Sequence, residues 1–448
     1  MRYLQIKTST LKYNASPLIA FIFLLLISIN IWAQQTPSTF DVNIQVRPRA
    51  EFRNGQGTLI SKNQNPTFFV NNRSRIKAKY SSQKIDIGVA GQSFSVWGQQ
   101  PQSETYGGFM LNEAWVNLKP TANLSFKIGR QELSYDNDRI LGSLDWHASG
   151  RFHDLILSKY EKNNFKAHLG LAYNANNETQ IQSYYYSKGQ PYQHMQMLWL
   201  AYQIAEPLSV TGLFMNTGFQ SGIDTIKSTW STSNLITTGA NVFYNKNKLK
   251  LHGLYYAQLG QNIGKQNVNA FMASISGNYK IHTKNTINLG FDFVSGNNMD
   301  KANTIQHAFS PLYGTNHGFY GSMDYFYVGN HAGNVGLIDV YGGTNHSFTN
   351  KLSMQLNIHN FQSDGNIIDI SSNKISKQLG TEVDLSYKYI FMPGVSLIGG
   401  YSQMFAAKGM EIAKKVTTPQ TIQNWAWLSL NVDINVFSHQ IKDLKPNN

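Results

Sequence analysis

The chain has 448 residues, a formal net charge of +13 and no cysteine. The absence of cysteine excludes disulfide bonds and thiolate metal ligands, while the length permits several soluble domains or one large β structure. Only 14% of the residues are charged, whereas Tyr, Phe, Gly and Asn are frequent. This composition favours β structure with many turns.

The first 33 residues have the features of a secretory signal peptide. Arg2, Lys7 and Lys12 give a basic start, an apolar run covers 18–32, and Ala33 suits cleavage. A retained membrane anchor is the weaker alternative, because the apolar run is short for a span. Cleavage near Ala33 would remove three charges, from +13 to +10. In an exported chain this charge indicates an anion-attracting surface or channel as readily as nucleic acid, and we expect no nucleic-acid partner.

Strict alternation of side chains begins at residue 40. Over 40–53 the even positions are Phe, Val, Ile, Val, Pro, Ala and Phe, and every odd position is polar or charged. Alternation with period 2 predicts a strand with one apolar and one polar face. The runs 71–80 and 424–437 repeat the pattern.

About eighteen such strands are predicted, each near the ten-residue length that spans a bilayer when tilted. Their approximate bounds are 40–53, 68–80, 83–94, 110–119, 124–131, 151–160, 165–173, 195–205, 208–219, 235–244, 249–259, 268–280, 285–295, 337–344, 351–362, 378–390, 395–405 and 424–437.

The connections between these strands alternate between short and long, as in outer-membrane barrels with short periplasmic turns and long external loops. We therefore predict an all-β fold: a transmembrane antiparallel β-barrel over 34–437, followed by a C-terminal tail over 438–448. A secreted soluble β protein is the alternative. The long connections are 54–67, 95–109, 132–150, 174–194, 220–234, 296–336 and 406–423.

Three stretches resemble the alginate export family of outer-membrane porins. They are "GRQELSYDNDRILGSLDWHASGRFHD" (129–154), "FSPLYGTNHGFYGSMDYF" (309–326) and "GGYSQMFAAKGMEIAK" (399–414), the last followed by "NWAWLSLNV" (424–432). The resemblance covers nearly all the chain from "RPRAEFR" (47–53) onward. It implies an eighteen-stranded barrel whose arginine-rich lumen passes a polyanionic polysaccharide, which is alginate in the characterised members.

Two neighbouring strands carry a row of cations that we expect on the lumen wall. Rings of Arg and Lys are how pores select anions, although any porin wall is hydrophilic. The predicted substrate path comprises Arg47, Arg49, Arg53, Arg73, Arg75, Lys77 and Lys79, with Glu51 as the one acid among them.

A second charged group lies at 129–154, and we predict that it sits at the external mouth or folds inward to narrow the pore. Its members on the predicted path are Arg130, Asp138, Arg139, Asp145, Arg151 and Asp154. Arginine can bind carboxylates in bidentate geometry, and the aspartates can pair with arginine and hold the loop rigid. A salt-bridged loop without ligand contact is an equal alternative. The aromatic and glycine-rich 309–326 suggests a packed lid or constriction.

An enzyme is the competing functional class. His147, His153 and Ser149 lie near Asp145 and Asp154, but no nucleophile elbow is present and the spacing suits no standard metal site. We expect no catalytic residue, metal or cofactor.

The sequence thus predicts a channel that exports an anionic polysaccharide such as alginate. A passive porin for other anionic solutes is the runner-up, and a barrel hydrolase or an adhesin is a distant alternative. We expect a monomer in the cell outer membrane, in contact with its lipid and inserted by the barrel assembly machinery.

Overall fold

The computed structural model describes residues 38–100, 108–180, 185, 191–224, 229–326 and 334–441. The predicted signal peptide and residues 442–448 lie outside the described residues. Helical structure in the described parts is short: α1 (Lys408–Ala413) and one 3₁₀ turn, Asn316–Gly318. Within those parts, no helix has the length and apolarity needed to cross a membrane.

Eighteen long strands make up the fold, which confirms the predicted strand number. They are β1 (Ser38–Asn54), β2 (Thr67–Ser81), β3 (Ile85–Val96), β4 (Phe109–Thr121), β5 (Leu124–Gln131), β6 (His153–Lys162), β7 (Phe165–Tyr173), β8 (His194–Ala205), β9 (Leu208–Asp224), β10 (Thr229–Lys246), β11 (Leu249–Gln261), β12 (Asn267–His282), β13 (Asn285–Val294), β14 (Leu337–Ser347), β15 (Leu352–Gln362), β16 (Gln378–Met392), β17 (Val395–Ala406) and β18 (Gln423–Ile441). The connections also contain two-residue strands at Ile305–Gln306, Ile367–Ile368 and Lys374–Ile375.

The sheet is a closed barrel. Each strand pairs antiparallel with its neighbour in the chain, as β1 does with β2 and β13 with β14. The last strand pairs antiparallel with the first over Ser38 to Asn54 and leaves no free edge. Closure satisfies all the strand hydrogen bonds internally, which a strand structure in a bilayer requires.

Connection lengths alternate along the barrel, so one end carries short turns and the other the long connections. We call these the short-turn end and the long-connection end. Residues 82–84, 122–123 and 163–164 are examples of short turns, and 132–152 and 295–336 are long connections.

Two boundaries differ from the sequence prediction. The long connection predicted at 220–234 is wrong, because β9 and β10 continue to Asp224 and Thr229 and leave 225–228 between them. The run from Thr229 to Asn234 lacks the apolar alternation that marks a strand, yet its backbone pairs with β9. Likewise β18 continues past 437 to Ile441, opposite Ser38.

The two faces of the strands separate as the alternation predicts. On β1 the even-numbered Ile44, Val46 and Phe52 are exposed on the outside, whereas Glu51 is 1% exposed and points inward. On β2, Ile76 is exposed outside and Arg73 is fully buried inside. The apolar exterior is the surface that hydrocarbon covers in an outer-membrane barrel.

Two long connections fold back into the barrel. We call them the inner loop (132–152, between β5 and β6) and the lid segment (described residues 295–326, between β13 and β14). Buried lid residues pack against inward methionines of the strands, each large buried side chain contributing about 1.5–3 kcal/mol. The packing predicted for 309–326 is confirmed, whereas its role as a lid or constriction stays a prediction. Its buried members include Phe309, Tyr313, Tyr320, Met323, Tyr325 and Phe326, and the facing strand residues include Met195, Met215 and Met272.

Candidate permeation site

Five arginines of β1 and β2 form one inward surface, which we call the arginine wall: Arg47, Arg49, Arg53, Arg73 and Arg75. The two strands are paired with Arg47 directly opposite Arg73. Because each strand alternates, every second residue of both strands faces the lumen. The eight arginines after Arg2 all lie between residues 47 and 151, and the five of the wall lie on two adjacent strands.

Asp145 of the inner loop forms ion pairs with three arginines of the wall. Its two carboxylate oxygens lie 3.1 Å from Nη1 of Arg47 and 2.7 Å from Nη2 of Arg73. Nη1 of Arg75 is 3.9 Å away. The backbone carbonyl of Asp145 also accepts hydrogen bonds from Arg47 (2.7 Å) and Arg73 (3.2 Å). The inner loop is therefore fastened to the wall by charge-assisted bonds.

The electrostatics of Asp145 follow from this placement. Partial burial alone would raise the pKa of its carboxyl, but the charges of Arg73 and Arg47 outweigh burial and hold the pKa below its ordinary value. Its side chain nevertheless remains 54% exposed. Solvent therefore reaches the carboxylate that the arginines hold.

Glu51 anchors the other end of the wall. Its carboxylate accepts hydrogen bonds from Arg49 (2.8 Å) and Arg53 (2.9 Å), and from Nε1 of Trp425 on β18 (3.1 Å). Asn71 of β2 donates a further bond of 2.9 Å. A fully buried carboxylate is tolerated here because two cations and two neutral donors surround it.

Two more acids reach the row of cations from β4 and the inner loop. Glu132 lies 3.7 Å from Arg75, and Glu113 lies 3.9 Å from Lys77. Burial, followed by the nearby Glu113, raises the pKa of Glu132. Glu51 is the one acid among the cations on β1 and β2 themselves. The alternation of those two strands does not indicate the acids that approach from β4 and the inner loop.

Trp146 ties the wall to the lid segment. The guanidinium of Arg49 lies 4.0 Å over its ring, and the ring of His317 stacks on it at 4.1 Å. His317 in turn contacts Asp324 at 2.8 Å. The backbone carbonyl of Trp146 accepts a 2.9 Å bond from Arg49. Wall, inner loop and lid therefore form one connected structure.

The remaining predicted path residues do not join this site. Arg139 is buried against Asp292 of β13 at 2.6 Å, Arg151 donates to the Gly314 carbonyl at 2.7 Å, and Asp138 accepts from Ser134 at 2.6 Å. Burial lowers the pKa of Arg151 to about 10. These contacts hold the inner loop and the lid segment in place.

Arg130 and Asp154 are a correction to the predicted path. They form an ion pair of 2.8 Å between β5 and β6. Their neighbours Gln131 and His153 are buried inside, so alternation places the pair on the outward face. Lys77 and Lys79 of β2 do face the lumen, closer to the short-turn end.

Of the residues of the hydrolase alternative, His147 and Ser149 contact each other, whereas His153 has a different partner. Nδ1 of His147 is 2.7 Å from Oγ of Ser149, but it also accepts the Ser149 backbone N–H at 3.3 Å, as in a local turn. His153 instead contacts the Tyr192 hydroxyl at 2.7 Å. Burial and the neighbouring Arg49 lower the pKa of His147. This arrangement is a turn contact two residues apart.

Sequence reasoning missed the neutral partners of the wall. Gln45 accepts two bonds from Arg73 (2.9 and 2.6 Å), and Gln92 accepts one from Arg75 at 2.7 Å. The sequence pattern indicates Trp425 only as a residue of an alternating strand and not as a partner of Glu51. Gln45 shares the polar face of the arginines in β1, a signal that was available.

Comparison with known proteins gives one family and one fold. The profile of the alginate export family matches residues 41–407. Among solved structures, OccAB4 of Acinetobacter baumannii has a TM-score of 0.59 at 11% identity, covering 91% of this chain and 99% of that one. OpdO of Pseudomonas aeruginosa has a TM-score of 0.60 at 9% identity, covering 89% and 98%. OccD3 of Pseudomonas aeruginosa has a TM-score of 0.59 at 12% identity, covering 90% and 94%. A search of curated protein sequences finds no match.

Proposed function

We propose, from the premise that this chain belongs to the alginate export family of outer-membrane channels, that it passes an anionic polysaccharide bearing uronate carboxylates out of the cell. The channel class follows from the family and the closed barrel. The substrate and the direction of transport are the proposal.

The observation that supports the proposal is the set of ion pairs between the wall arginines and the carboxylate of Asp145. Arg47 and Arg73 hold its carboxylate at 3.1 and 2.7 Å, with Arg75 behind. A uronate carries a carboxylate of the same shape and charge. It can take the place of Asp145 by exchanging one set of charge-assisted bonds for another, so the net change in free energy is small. A wall that binds by exchange holds each sugar weakly, which allows transit.

Exchange of Asp145 for a uronate carboxylate would also release the inner loop, which lies inside the barrel. Asp145 and Trp146 fasten the inner loop to the wall through Arg47, Arg49 and Arg73. A polyanion that occupies these arginines removes those fastenings from the loop. Substrate binding and widening of the path are then the same event.

The test is current block in planar bilayers. The wild-type reversal potential in a salt gradient should favour anions at low salt, and the preference should fade toward 1 M, where the Debye length is about 3 Å. Oligomannuronate or oligoguluronate should block the current more than neutral oligosaccharides of equal length. Arg73→Gln with Arg75→Gln should weaken that block, whereas the outward-facing Arg130→Gln should leave it unchanged.

Two outcomes would contradict the proposal. A cation-selective wild-type channel would exclude polyanion transport. An anion-selective channel that ignores uronates would favour the passive porin for other anionic solutes.

A further inference from the structure

The lumen carries a second cationic surface, at the short-turn end and built from lysine. Eight strands each place one inward lysine near their short turns. We call this set the lysine ring: Lys79 (β2), Lys119 (β4), Lys127 (β5), Lys159 (β6), Lys166 (β7), Lys250 (β11), Lys280 (β12) and Lys388 (β16).

Strand alternation shows that these lysines face the lumen. Lys250 lies on the same face of β11 as the buried Leu254 and Tyr256, and Lys280 on the same face of β12 as the buried Met272. On β6, Lys159 shares its face with the buried Leu157.

Two members show this inward placement through direct contacts. The ammonium of Lys127 lies 3.9 Å over the ring of Trp115, on the neighbouring strand β4. That of Lys119 lies 2.8 Å from Asp86 of β3.

The carboxylates on the same inward surface are fewer and already engaged. Asp86 pairs with Lys119, Glu161 with His168 at 2.9 Å, and Asp433 with Asn43 and Gln45 at 2.7 and 2.8 Å. Asp41 accepts a 2.6 Å bond from Ser438. In the described part of the chain, seven of the eight ring lysines have no carboxylate within 4.0 Å.

Lysine and arginine interact with an anion in different ways. An ammonium is a strongly hydrated point charge on a flexible stem, so it attracts an anion without fixing its geometry, whereas arginine binds carboxylates through a rigid fork. A mouth lined by one sign of charge between low-dielectric walls concentrates counter-ions and raises association rates. The ring is thus suited to capture, and the arginine wall to binding.

We propose that the lysine ring is a collecting site for a soluble polyanion at the periplasmic mouth, which loads the polysaccharide into the lumen before the arginine wall engages it. This inference rests on the proposed function and adds the side of entry, since short turns face the periplasm in such barrels. Lipid head groups do not fit the ring, because they reach outward positions such as those of Lys162 and Lys246, whereas the ring points into the lumen.

The test compares block from the two sides of single channels of known orientation. The chain has no cysteine, so Ile370→Cys in the exposed 363–377 connection and an impermeant thiol reagent identify the external side. Uronate oligomers and polyglutamate are added to each side in turn. The ring variant is Lys250→Gln, Lys280→Gln and Lys388→Gln. The matched control removes the same charge at Lys62→Gln, Lys162→Gln and Lys246→Gln.

Wild-type block should be faster from the short-turn side. The ring variant should lower that association rate about tenfold at 0.1 M salt, within the range of electrostatic steering. The difference should vanish near 1 M. Dissociation should be unchanged because the arginine wall is intact, and the control should behave as wild type.

The outcomes separate this inference from the proposed function. Uronate block that is equally fast from both sides, or equally slowed in the ring and control variants, overturns the collecting site and leaves the proposed function standing. Lysine-dependent block by polyglutamate without block by uronates keeps the collecting site and overturns the proposed substrate. A larger effect in the control than in the ring variant assigns the charge effect to the outer surface and overturns the inference.

Discussion

Asp145 holds three arginines although its own side chain is half exposed. Under the proposed function it occupies the positions at which a uronate carboxylate would bind, and it would then compete with the substrate from within the chain. A neighbouring acid of the same loop, Asp138, bonds to Ser134 and touches none of the wall arginines within the described contacts. The two aspartates therefore separate the effect of competition from the effect of loop charge.

Asp145→Asn should tighten uronate binding. The substitution removes the competing charge but keeps a side chain of the same size, so the arginines lose their ionic partner and the substrate carboxylate can replace it. Charge-assisted hydrogen bonds contribute about 1.5–3 kcal/mol, and partial exposure places this one near the lower value, or about tenfold in the blocking constant. Concentration dependence of block by oligomannuronate measures it.

Asp138→Asn serves as the control and should change the constant by less than the Asp145 substitution. Weaker uronate binding in Asp145→Asn would show that Asp145 organises the wall for the substrate rather than competing with it.

The sequence predicted which residues line the wall but not their partners. Alternation in β1 and β2 is local, so the inward arginines follow directly from the printed sequence. The partner of Arg47 lies 98 positions away in a loop, and no local pattern determines where that loop folds. The outward placement of Arg130 and Asp154 could have been found, since both are one position from inward residues of their strands.

At the scale of the element, one of the attachments of the lid segment is a tight contact at Met323. The backbone N–H of Met323 donates to Glu382 of β16 at 2.8 Å, and its carbonyl accepts from Gly57 at 2.7 Å. Gly321 precedes this point with φ of +80°, and a Cβ there would lie 2.6 Å from the Glu382 carboxylate. Only glycine allows both the backbone conformation and the close approach.

Gly321→Val should loosen the lid and raise single-channel conductance. Backbone strain of this kind costs about 1–3 kcal/mol, and the clash with Glu382 adds to it. Gly318→Val is the matched control, because a Cβ at Gly318 meets nothing within 4 Å. Deletion of 305–326 should raise conductance further, measured in planar bilayers on folded protein. Unchanged conductance in a folded deletion variant would show that the lid segment does not restrict the conduction path.

The lid and the strands differ in how far the sequence predicts them. Aromatic and glycine density in 309–326 predicted packing, but the attachment to Glu382 and Gly57 depends on three distant segments meeting. Strand ends were predicted well where apolar alternation ends at a turn, as in 124–131 and 165–173. The prediction failed at 220–234, because serine and threonine extend β9 and β10 by backbone pairing without an apolar face.

At the scale of the whole molecule, the topology predicts which connections proteases reach from outside the cell. A protease site inserted at Ser371, in the exposed 363–377 connection, should be cut on intact cells. The same site at Asn247, in the short turn between β10 and β11, should be cut only after the outer membrane is opened. Immunoblotting of the fragments measures both, and cleavage at Asn247 alone on intact cells would invert the topology.

Pairing of β18 with β1 joins the two strands that are farthest apart in the chain. Contacts of such large sequence separation carry the greatest loop-closure entropy and form late. The bonds from Trp425 to Glu51 and from Gln45 to Asp433 cross this seam. The local pairing of β1 with β2 assembles the arginines, but Glu51 and Gln45 gain their last partners only when the seam closes. The complete arginine wall is therefore also a marker of completed folding: a barrel whose seam is open has the arginines but lacks the bonds from β18 that help to set their geometry.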